Sequence, residues 1–536
     1  MRALARGAPA WTITAALGVA YLIAAPPAPD LAAASYRSHL FSQLGFALWD
    51  NSWYAGHHLL AYSVLAPGLG ALLGPRLVAV LSMIAATALF AAAIRGRFSA
   101  RAERIAACWF ALGASIALLS CRVPFDLGLA IGLGALALAQ RRRLRAGLAV
   151  AALATVLCSL ASPVAGAFLA LAFIAWALAG PARARPLLLA ALALVPILLL
   201  SVVFPEGGTQ PFVASAFYPA LAGVLVLGAA IPFKYPALRI GAALYALTLI
   251  GSYLVPSAVG GNVDRLGALA AGPIAALALA GALTRPRRLL LLVLAPALLY
   301  WQSNAPVADF AAAVTDPAAN APYYTPLLGR LQALGIGYGR RPVRIEAVAT
   351  ADHWEARWIA PQAMLARGWE RQLDRDRNAL FYSSRPPTPA SYRAWLAREA
   401  VSYVALPDAP LDYSAKAEAR LLGMPAVSGP GGYVQEIWRG SHWRLFAVLA
   451  PAPLARAPAE MTAVTPQSFT LLVPAPGSYL VKIHFTPYWK LDSGDGCVAR
   501  SESGDWTTVR ADRAGEQHVV IAFSPARVLA SSARCG

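Results

Sequence analysis

The sequence predicts a polytopic α-helical membrane domain of about eleven spans, followed by an exocytoplasmic region that is first mixed α/β and then β-sandwich. Three observations lead there. The 536 residues have a mean hydropathy of +0.55, with 58% hydrophobic and only 13% charged side chains, too apolar for a soluble chain of this length. Six of the 26 acidic side chains fall in residues 1–302 and the other twenty in residues 303–536, so the first part reads as membrane and the second as water-soluble. Basic clusters also recur in every second gap between the apolar runs of the first part, the charge signature of loops that stay in the cytoplasm.

Taken in order, apolar runs of roughly 16 to 20 residues, enough to cross about 30 Å of hydrocarbon, lie near 9–27, 77–94, 104–120, 124–140, 146–162, 164–180, 186–204, 215–233, 237–255, 266–283 and 286–302. The clusters Arg95/Arg97/Arg101/Arg104, Arg141/Arg142/Arg143/Arg145, Arg183/Arg185, Lys234/Arg239 and Arg285/Arg287/Arg288 then fall on one side, with Arg2 and Arg6. The N-terminal run also has the form of a signal peptide, but its removal would break this alternation, so a retained first helix is expected. The segment 59–74 is apolar yet broken by Pro67, Gly68, Gly70 and Gly74; it reads as lying on the membrane surface. Residues 28–75 become a long first outer loop, and Asp30, Asp50, Asp126, Glu206 and Asp264 collect at outer ends, with Glu103 alone inside.

Everything after residue 302 is outside by the same count. Residues 303–450 mix helical pieces such as "PASYRAWLAREA" (389–400) with strands such as "VSYVALP" (401–407). Residues 451–536 show short β runs, "SFTLLVP", "SYLVKIHF" and "EQHVVIAFS", separated by turn residues. Cys108, Cys121 and Cys158 lie in or beside spans and read as packing residues. Cys497 and Cys535 share the last module, and an oxidising exterior allows them to pair, although spacing alone does not fix their distance. The +19 net charge does not point to nucleic acid: 21 Lys/Arg face 6 Asp/Glu in the first part but 24 face 20 in the second, so the excess belongs to membrane loops that meet anionic lipid.

A first span ending in Asp30, "YRSHLF" (36–41), "WDNSWYAGHH" (49–58) and "GGNVDRLG" (260–267) resemble the GT-C superfamily of membrane glycosyltransferases that use polyprenyl-phosphate sugars. In the outer region "HWEARWIA" (353–360), "LARGWERQLD" (365–374) and "FTPYWKLDSGDG" (485–496) resemble actinobacterial members with a C-terminal exocytoplasmic domain. The resemblance implies an integral protein of the bacterial plasma membrane, N-terminus cytoplasmic. It would transfer a sugar from a polyprenyl-phosphate donor to an extracytoplasmic glycan or lipid acceptor of the cell envelope. A paired-acid motif is common in the first loop of the superfamily; here Asp30 is followed by Leu and Ala.

Such a transfer needs a base for the acceptor hydroxyl and positive charge for the departing phosphate. Asp30, stiffened by the preceding "PPAP", is the expected base, against the plain reading of an acid at a helix start. Asp50 is a second acid or a ligand for Mg or Mn, or simply a turn former in "WDNS"; the cofactor stays open, since a divalent ion needs more oxygen ligands than one Asp supplies. Arg37, Arg265, Asn262, His57 and His58 are the candidate donor-phosphate contacts. Arg37 and Arg265 stand against the positive-inside trend, and Arg265 opens a span where helix amides also favour an anion. An ion pair of Arg265 with Asp264 or Glu206 is the alternative. His57 and His58 point to opposite sides if extended. Trp49, Trp53 and Tyr54 are candidates for stacking on a sugar or for sitting at the interface. Gly128 and Gly132 read as helix packing, Asp126 and Arg122 as a pair at a helix end, and "GIGYG" (335–339) as a turn. A non-catalytic scaffold of the same fold is the alternative function. A transporter would carry charges at mid-membrane depth, and these spans carry almost none.

Overall fold

The computed structural model describes residues 8–141, 145–280 and 285–528; Arg2, Arg6, Arg142, Arg143 and Cys535 lie outside them. The chain divides into two compact units. Unit 1 comprises the described residues of Met1–Ser38, Ala61–Ser201 and Thr209–Val314, and unit 2 those of His39–Leu60, Val202–Gly208 and Thr315–Gly536.

Thirteen helices lie wholly or mainly in unit 1: α1 (Trp11–Ala24), α2 (Leu31–Leu44), α3 (Ala66–Leu73), α4 (Pro75–Ile94), α5 (Ala100–Ala117), α6 (Val123–Ala139), α7 (Arg145–Ala161), α8 (Pro163–Ala179), α9 (Ala184–Val203), α10 (Ala214–Ala230), α11 (Pro236–Leu254), α12 (Asp264–Leu279) and α13 (Arg285–Ala313). Each predicted span falls on one of them. Four (α4, α9, α11 and α13) are by themselves long and apolar enough to cross a membrane, and α1, α6, α7, α8 and α10 are shorter apolar helices. The starts are set locally. Ser99 and Ser162 accept from Ala102 N and Ala165 N, and Pro75, Pro163 and Pro236 occupy first turns where no backbone donor is needed. Side chains such as Leu198, Leu199, Leu292 and Val293 stay more than half exposed, an apolar exterior suited to lipid.

Small residues let these helices close up. A Cβ on Gly128 would stand 2.8 Å from Ala165 Cβ, and one on Gly132 3.0 Å from Cys158 Sγ, so the Gly128/Gly132 pair is a packing stripe. Cys108, Cys121 and Cys158 are free thiols. Two elements differ from the sequence reading: residues 31–44 form a helix inside the expected loop, and α13 runs to Ala313 rather than ending at 302.

Among the described residues unit 2 holds a five-stranded mixed sheet, a four-stranded and a three-stranded sheet, and a two-stranded hairpin. The mixed sheet has the order β4 (Met364–Leu365), β3 (Arg344–Ala347), β5 (Val401–Pro407), β7 (Trp443–Val448), β6 (Val434–Arg439), parallel on the β4/β3/β5 side and antiparallel on the other. Helix Pro389–Arg398 feeds β5 as predicted, opened by a capping box between Thr388 and Ser391. The second pair of sheets, β11 (Trp489–Ser493), β14 (Gly515–Ile521), β9 (Ser468–Val473), β8 (Glu460–Thr465) and β10 (Gly477–His484), β13 (Trp506–Ala511), β12 (Gly496–Arg500), shares one core through Phe469, Leu471, Val481, Val498, Val509 and Val519. This is the predicted sandwich. Cys497 on β12 is disulfide-bonded. Gly335, Gly337 and Gly339 all take positive φ, the turn expected of "GIGYG".

One cluster in unit 2 is charged and buried. Arg367 donates to Asp374 at 2.6 Å and to Ser414 at 2.7 Å, with Glu418 at 3.6 Å and Glu346 at 4.0 Å. Burial pushes Glu346 well above its ordinary range, the Glu418 charge adding to it, and burial pushes Glu418 up to about 7 against the pull of Arg367. The folded state therefore holds a proton more tightly than the unfolded chain, whose Glu titrates at about 4.3. That stability is complete below the unfolded value and is lost as pH rises through the folded one. Near His353, burial opposes the charge, but Asp412 and Glu355 overcome it and push the imidazole up to about 9, which extends the decline to alkaline pH. Thermal unfolding of unit 2, followed by hydrogen exchange, should fall in midpoint from pH 5 to pH 8. Glu346→Gln should flatten the fall and leave the pH 5 value nearly unchanged; an unaltered slope would show that the pair holds no proton.

Candidate functional site

In unit 1 the polar residues expected at outer helix ends do meet. The chain leaves α1 through a left-handed Ala25 (φ 42°), and Arg76 Nη2 donates to Ala25 O at 2.9 Å and Pro26 O at 3.0 Å, which fixes the exit. After Pro26, Pro27 and Pro29 comes Asp30, directly before α2. Along α2 the positions 30, 33, 34, 37 and 38 share one face, as helical spacing dictates, and they line a small cavity with Tyr62, Ser63, Ala66, Pro67, Val123 and Pro124. Its volume, about 20 Å³, is room for one water. Ala33 and Ala34 leave that space open, and Gly70 lets α3 approach, since a Cβ there would fall 2.1 Å from Ser38 Oγ. Arg37 lies with its guanidinium 4.2 Å from the Tyr62 ring centroid.

Two further arginines come from distant parts of the chain. Arg122, just before α6, has Nε 3.9 Å from Asp30 Oδ2 and Nη2 3.4 Å from Asp309 Oδ2. Ser120 Oγ donates to that same Asp309 oxygen at 2.6 Å. Arg265, in the first turn of α12, sits 5.5 Å above the Phe125 ring and has no hydrogen bond or ion pair among the described residues. The expected alternative partners are taken: Asp264 accepts from Trp301 Nε1 at 3.0 Å, and Glu206, in unit 2, pairs with His58 and Arg377. Asn262 lies in the 3₁₀ turn Gly260–Val263 that leads into α12. Burial pushes the Asp30 carboxyl above its ordinary range, Arg122 and Arg265 pull it down, and Asp309 adds to the rise. Asp126, in the first turn of α6, is fully buried and makes no ion pair with Arg122 among the described residues, contrary to the sequence reading.

The stretch "WDNSWYAGHH" belongs to unit 2 and is interior. Trp49–Asp50 (β1) and His57–His58 (β2) pair antiparallel, around a left-handed Tyr54, Ala55 and Gly56. Gly56 is required, because a Cβ would fall 2.4 Å from the Trp49 ring. From this hairpin hydrogen bonds run to three regions: Leu365 N to Ser52 O at 2.8 Å, Asn51 N to Pro466 O at 2.8 Å, and His484 N to Ala55 O at 2.8 Å. The hairpin clasps the mixed sheet to the sandwich. Its ring faces are covered: Trp49 by His58 and Trp489, Trp53 by a parallel His57 at 5.4 Å. Trp49, Trp53 and Tyr54 are at most 1% exposed, so the expected stacking on a sugar or seating at the interface is corrected to core packing. Asp50 accepts from Ser52 N at 2.8 Å, the turn-forming role. His58 has Nε2 3.1 Å from Thr486 Oγ1 and Nδ1 3.1 Å from Glu206; both nitrogens are engaged, which removes it as a phosphate contact, and its stacked neighbour His57 is fully buried.

No protein-family model and no curated relative matches the chain. Solved structures do. Arabinofuranosyltransferase AftD from Mycobacteria matches over 82% of this chain and 40% of its own, at 18% identity and a TM-score of 0.46. The archaeal oligosaccharyltransferase AglB from Archaeoglobus fulgidus, solved with an inhibitory peptide and a dolichol-phosphate, matches over 74% and 69%, at 14% identity and a TM-score of 0.42. This chain thus spans about two fifths of the AftD chain. Both neighbours are named as glycosyl-transferring proteins.

Among the described residues no group of three His, Cys, Asp or Glu stands close enough to hold a metal ion. A separate apolar groove of about 550 Å³ is lined by α8, α9, α11 and the 255–263 segment, with Thr248, Ser252 and Ser257 as its polar members. It lies in the same unit as Asp30 and Arg265, and its lining suits a hydrocarbon chain.

Proposed function

We propose that the chain is a membrane glycosyltransferase that moves a sugar from a polyprenyl-phosphate donor to an extracytoplasmic acceptor of the cell envelope, with the Asp30 end of unit 1 and the whole of unit 2 outside. One observation carries the reading: a carboxylate held basic by burial, at a water-sized cavity, shares its surroundings with Arg37, Arg122 and Arg265, the last without an anion of its own among the described residues. Asp30 takes the acceptor hydroxyl proton as the sugar carbon is attacked, and the arginines neutralise the phosphate that leaves. Arg37 and Arg265 would receive the phosphate from above the ring faces on which they rest. The prenyl chain would lie in the apolar groove. The envelope acceptor would arrive from water.

Arg265 provides the test. Charge-assisted contacts contribute roughly 1.5 to 3 kcal/mol, about ten- to a hundredfold in affinity. Arg265→Gln should weaken binding of a polyprenyl monophosphate by that factor, measured with purified protein in nanodiscs, and Arg265→Lys should recover only part, since an ammonium cannot reproduce a two-pronged contact. Equal affinities for wild type, Lys and Gln would remove the phosphate from this site and leave the scaffold reading in its place.

A further inference from the structure

Asp309 takes no part in the sequence-based reading, yet it is the nearest anion to Arg122. It sits on α13 three residues beyond Pro306, 187 residues from Arg122 in the chain. The same carboxylate oxygen accepts from Ser120 Oγ at 2.6 Å, and Ser120 is fully buried on a turn closed by a left-handed Cys121 (φ 52°). The arrangement is therefore built into the backbone on one side and into α13 on the other. Arg122 stands between two carboxylates and is closed on neither: 3.4 Å to Asp309, 3.9 Å to Asp30, where a fully formed guanidinium–carboxylate pair spans about 2.7 to 2.9 Å.

We propose that Asp309 is a positioning residue for Arg122: by holding its Nη2 end it keeps the guanidinium from closing on Asp30, so that Asp30 keeps a free lone pair and Arg122 stays open to an incoming phosphate. The proposal rests on Asp30 being the reacting carboxylate of the function proposed above. A tight pair would do two harmful things at once. It would occupy the oxygen that must accept a proton, and it would stabilise the ionised form and so weaken the base. An Arg122 closed on Asp30 would also be neutralised before any phosphate reached it.

The sign of the effect follows. Loss of the Asp309 charge frees Arg122 to close on Asp30 and removes a negative neighbour from Asp30, and both changes favour the ionised carboxylate. The other groups around Asp30 are Arg37 on α2, Tyr62, Cys121, Asp126 on α6 and Arg265 on α12, and they are unaltered by the substitution. The Asp30 titration should therefore move to lower pH.

The measurement is pH-difference infrared spectroscopy on the full-length protein in nanodiscs, with no substrate, the Asp30 carboxyl band being assigned by its loss in Asp30→Asn. Asp309→Asn should lower the Asp30 midpoint by about one pH unit, Asp309→Glu should restore most of it, and Ser120→Ala, which frees the carboxylate and leaves its charge, should lower it by less. In an Arg122→Gln background the effect of Asp309→Asn should shrink, because the two act through one contact. An unmoved midpoint in Asp309→Asn and Ser120→Ala overturns the proposal. So does an equal shift with and without Arg122, which would mean that Asp309 acts on Asp30 by bare charge. The titration reads Asp30 whether or not transfer occurs, so it fails separately from the glycosyltransferase reading.

Discussion

Asp30→Asn should lower glycosyl transfer by about 10²- to 10⁴-fold, the range a positioned general base contributes, with expression and donor binding nearly unchanged. The substitution removes one proton-accepting oxygen and alters little else. Asparagine is as well tolerated as aspartate at a helix start, so α2 keeps its entry and Arg37 keeps its place two turns along. The raised Asp30 carboxyl predicts the shape of the pH profile as well: a base must be ionised, so wild-type activity should fall as pH drops through a value above the ordinary carboxylate range, and Asp30→Asn should show no such limb in its residual rate. The assay is the lipid-linked sugar that accumulates, and the envelope glycan that is lost, in a deletion strain complemented with wild type or variant. Turnover at the wild-type level in Asp30→Asn would end the reading of this cavity as the reacting site. Asp50 would not inherit the role, because its carboxylate caps the Ser52 amide inside unit 2.

The residues around Asp30 show which parts of such a site a sequence can disclose. Arg37 and Arg265 stand out because a cation at the outer end of an apolar run goes against the positive-inside bias, and Asp30 stands out because it follows the first span directly. Arg122 breaks the same bias but sits beside Asp126, and four residues on a helix make an ion pair the economical explanation; the structure sends its side chain to Asp30 and Asp309 instead. Nothing local marks Asp309, since its partners Ser120 and Arg122 are nearly 190 residues away. The same limit explains the hairpin. "WDNSWYAGHH" reads as polar and aromatic, hence as part of an outer-loop site, because its partners at residues 365, 466 and 484 lie hundreds of positions downstream. Helices were legible because a span needs only its own apolar length. Residues 31–44 were missed as a helix because their Ser, Tyr, Arg and His side chains carry no apolar period.

Arg367→Met should destabilise unit 2 by about 3 to 5 kcal/mol, the cost of removing one partner from a buried ionic cluster. Arg367 is 3% exposed, and Asp374, Glu346 and Glu418 are fully buried. Without the guanidinium, Asp374 loses a bidentate donor, keeping Asn378 Nδ2 at 2.8 Å and Tyr382 Oη at 2.6 Å, while Glu346 and Glu418 lose the cation beside them. The two glutamates escape part of the penalty by taking up protons, as their raised carboxyls allow. The loss should therefore be larger at pH 8 than at pH 5. Methionine fills most of the arginine's volume, so a cavity does not account for the effect. Arg367→Lys should fall between, since an ammonium restores charge without the paired contact to Asp374. The double variant Arg367→Met/Asp374→Asn should be less destabilised than Arg367→Met alone, because it removes the stranded anion together with its partner. At roughly 2 to 4 °C per kcal/mol for a unit of this size, the single substitution should lower the unfolding midpoint by about 10 °C, measured by hydrogen exchange of the Arg371–Arg377 and Lys416–Leu422 helices. A change within about 1 kcal/mol at both pH values would mean that the cluster is already neutral in the folded protein, and that the arginine is there for shape.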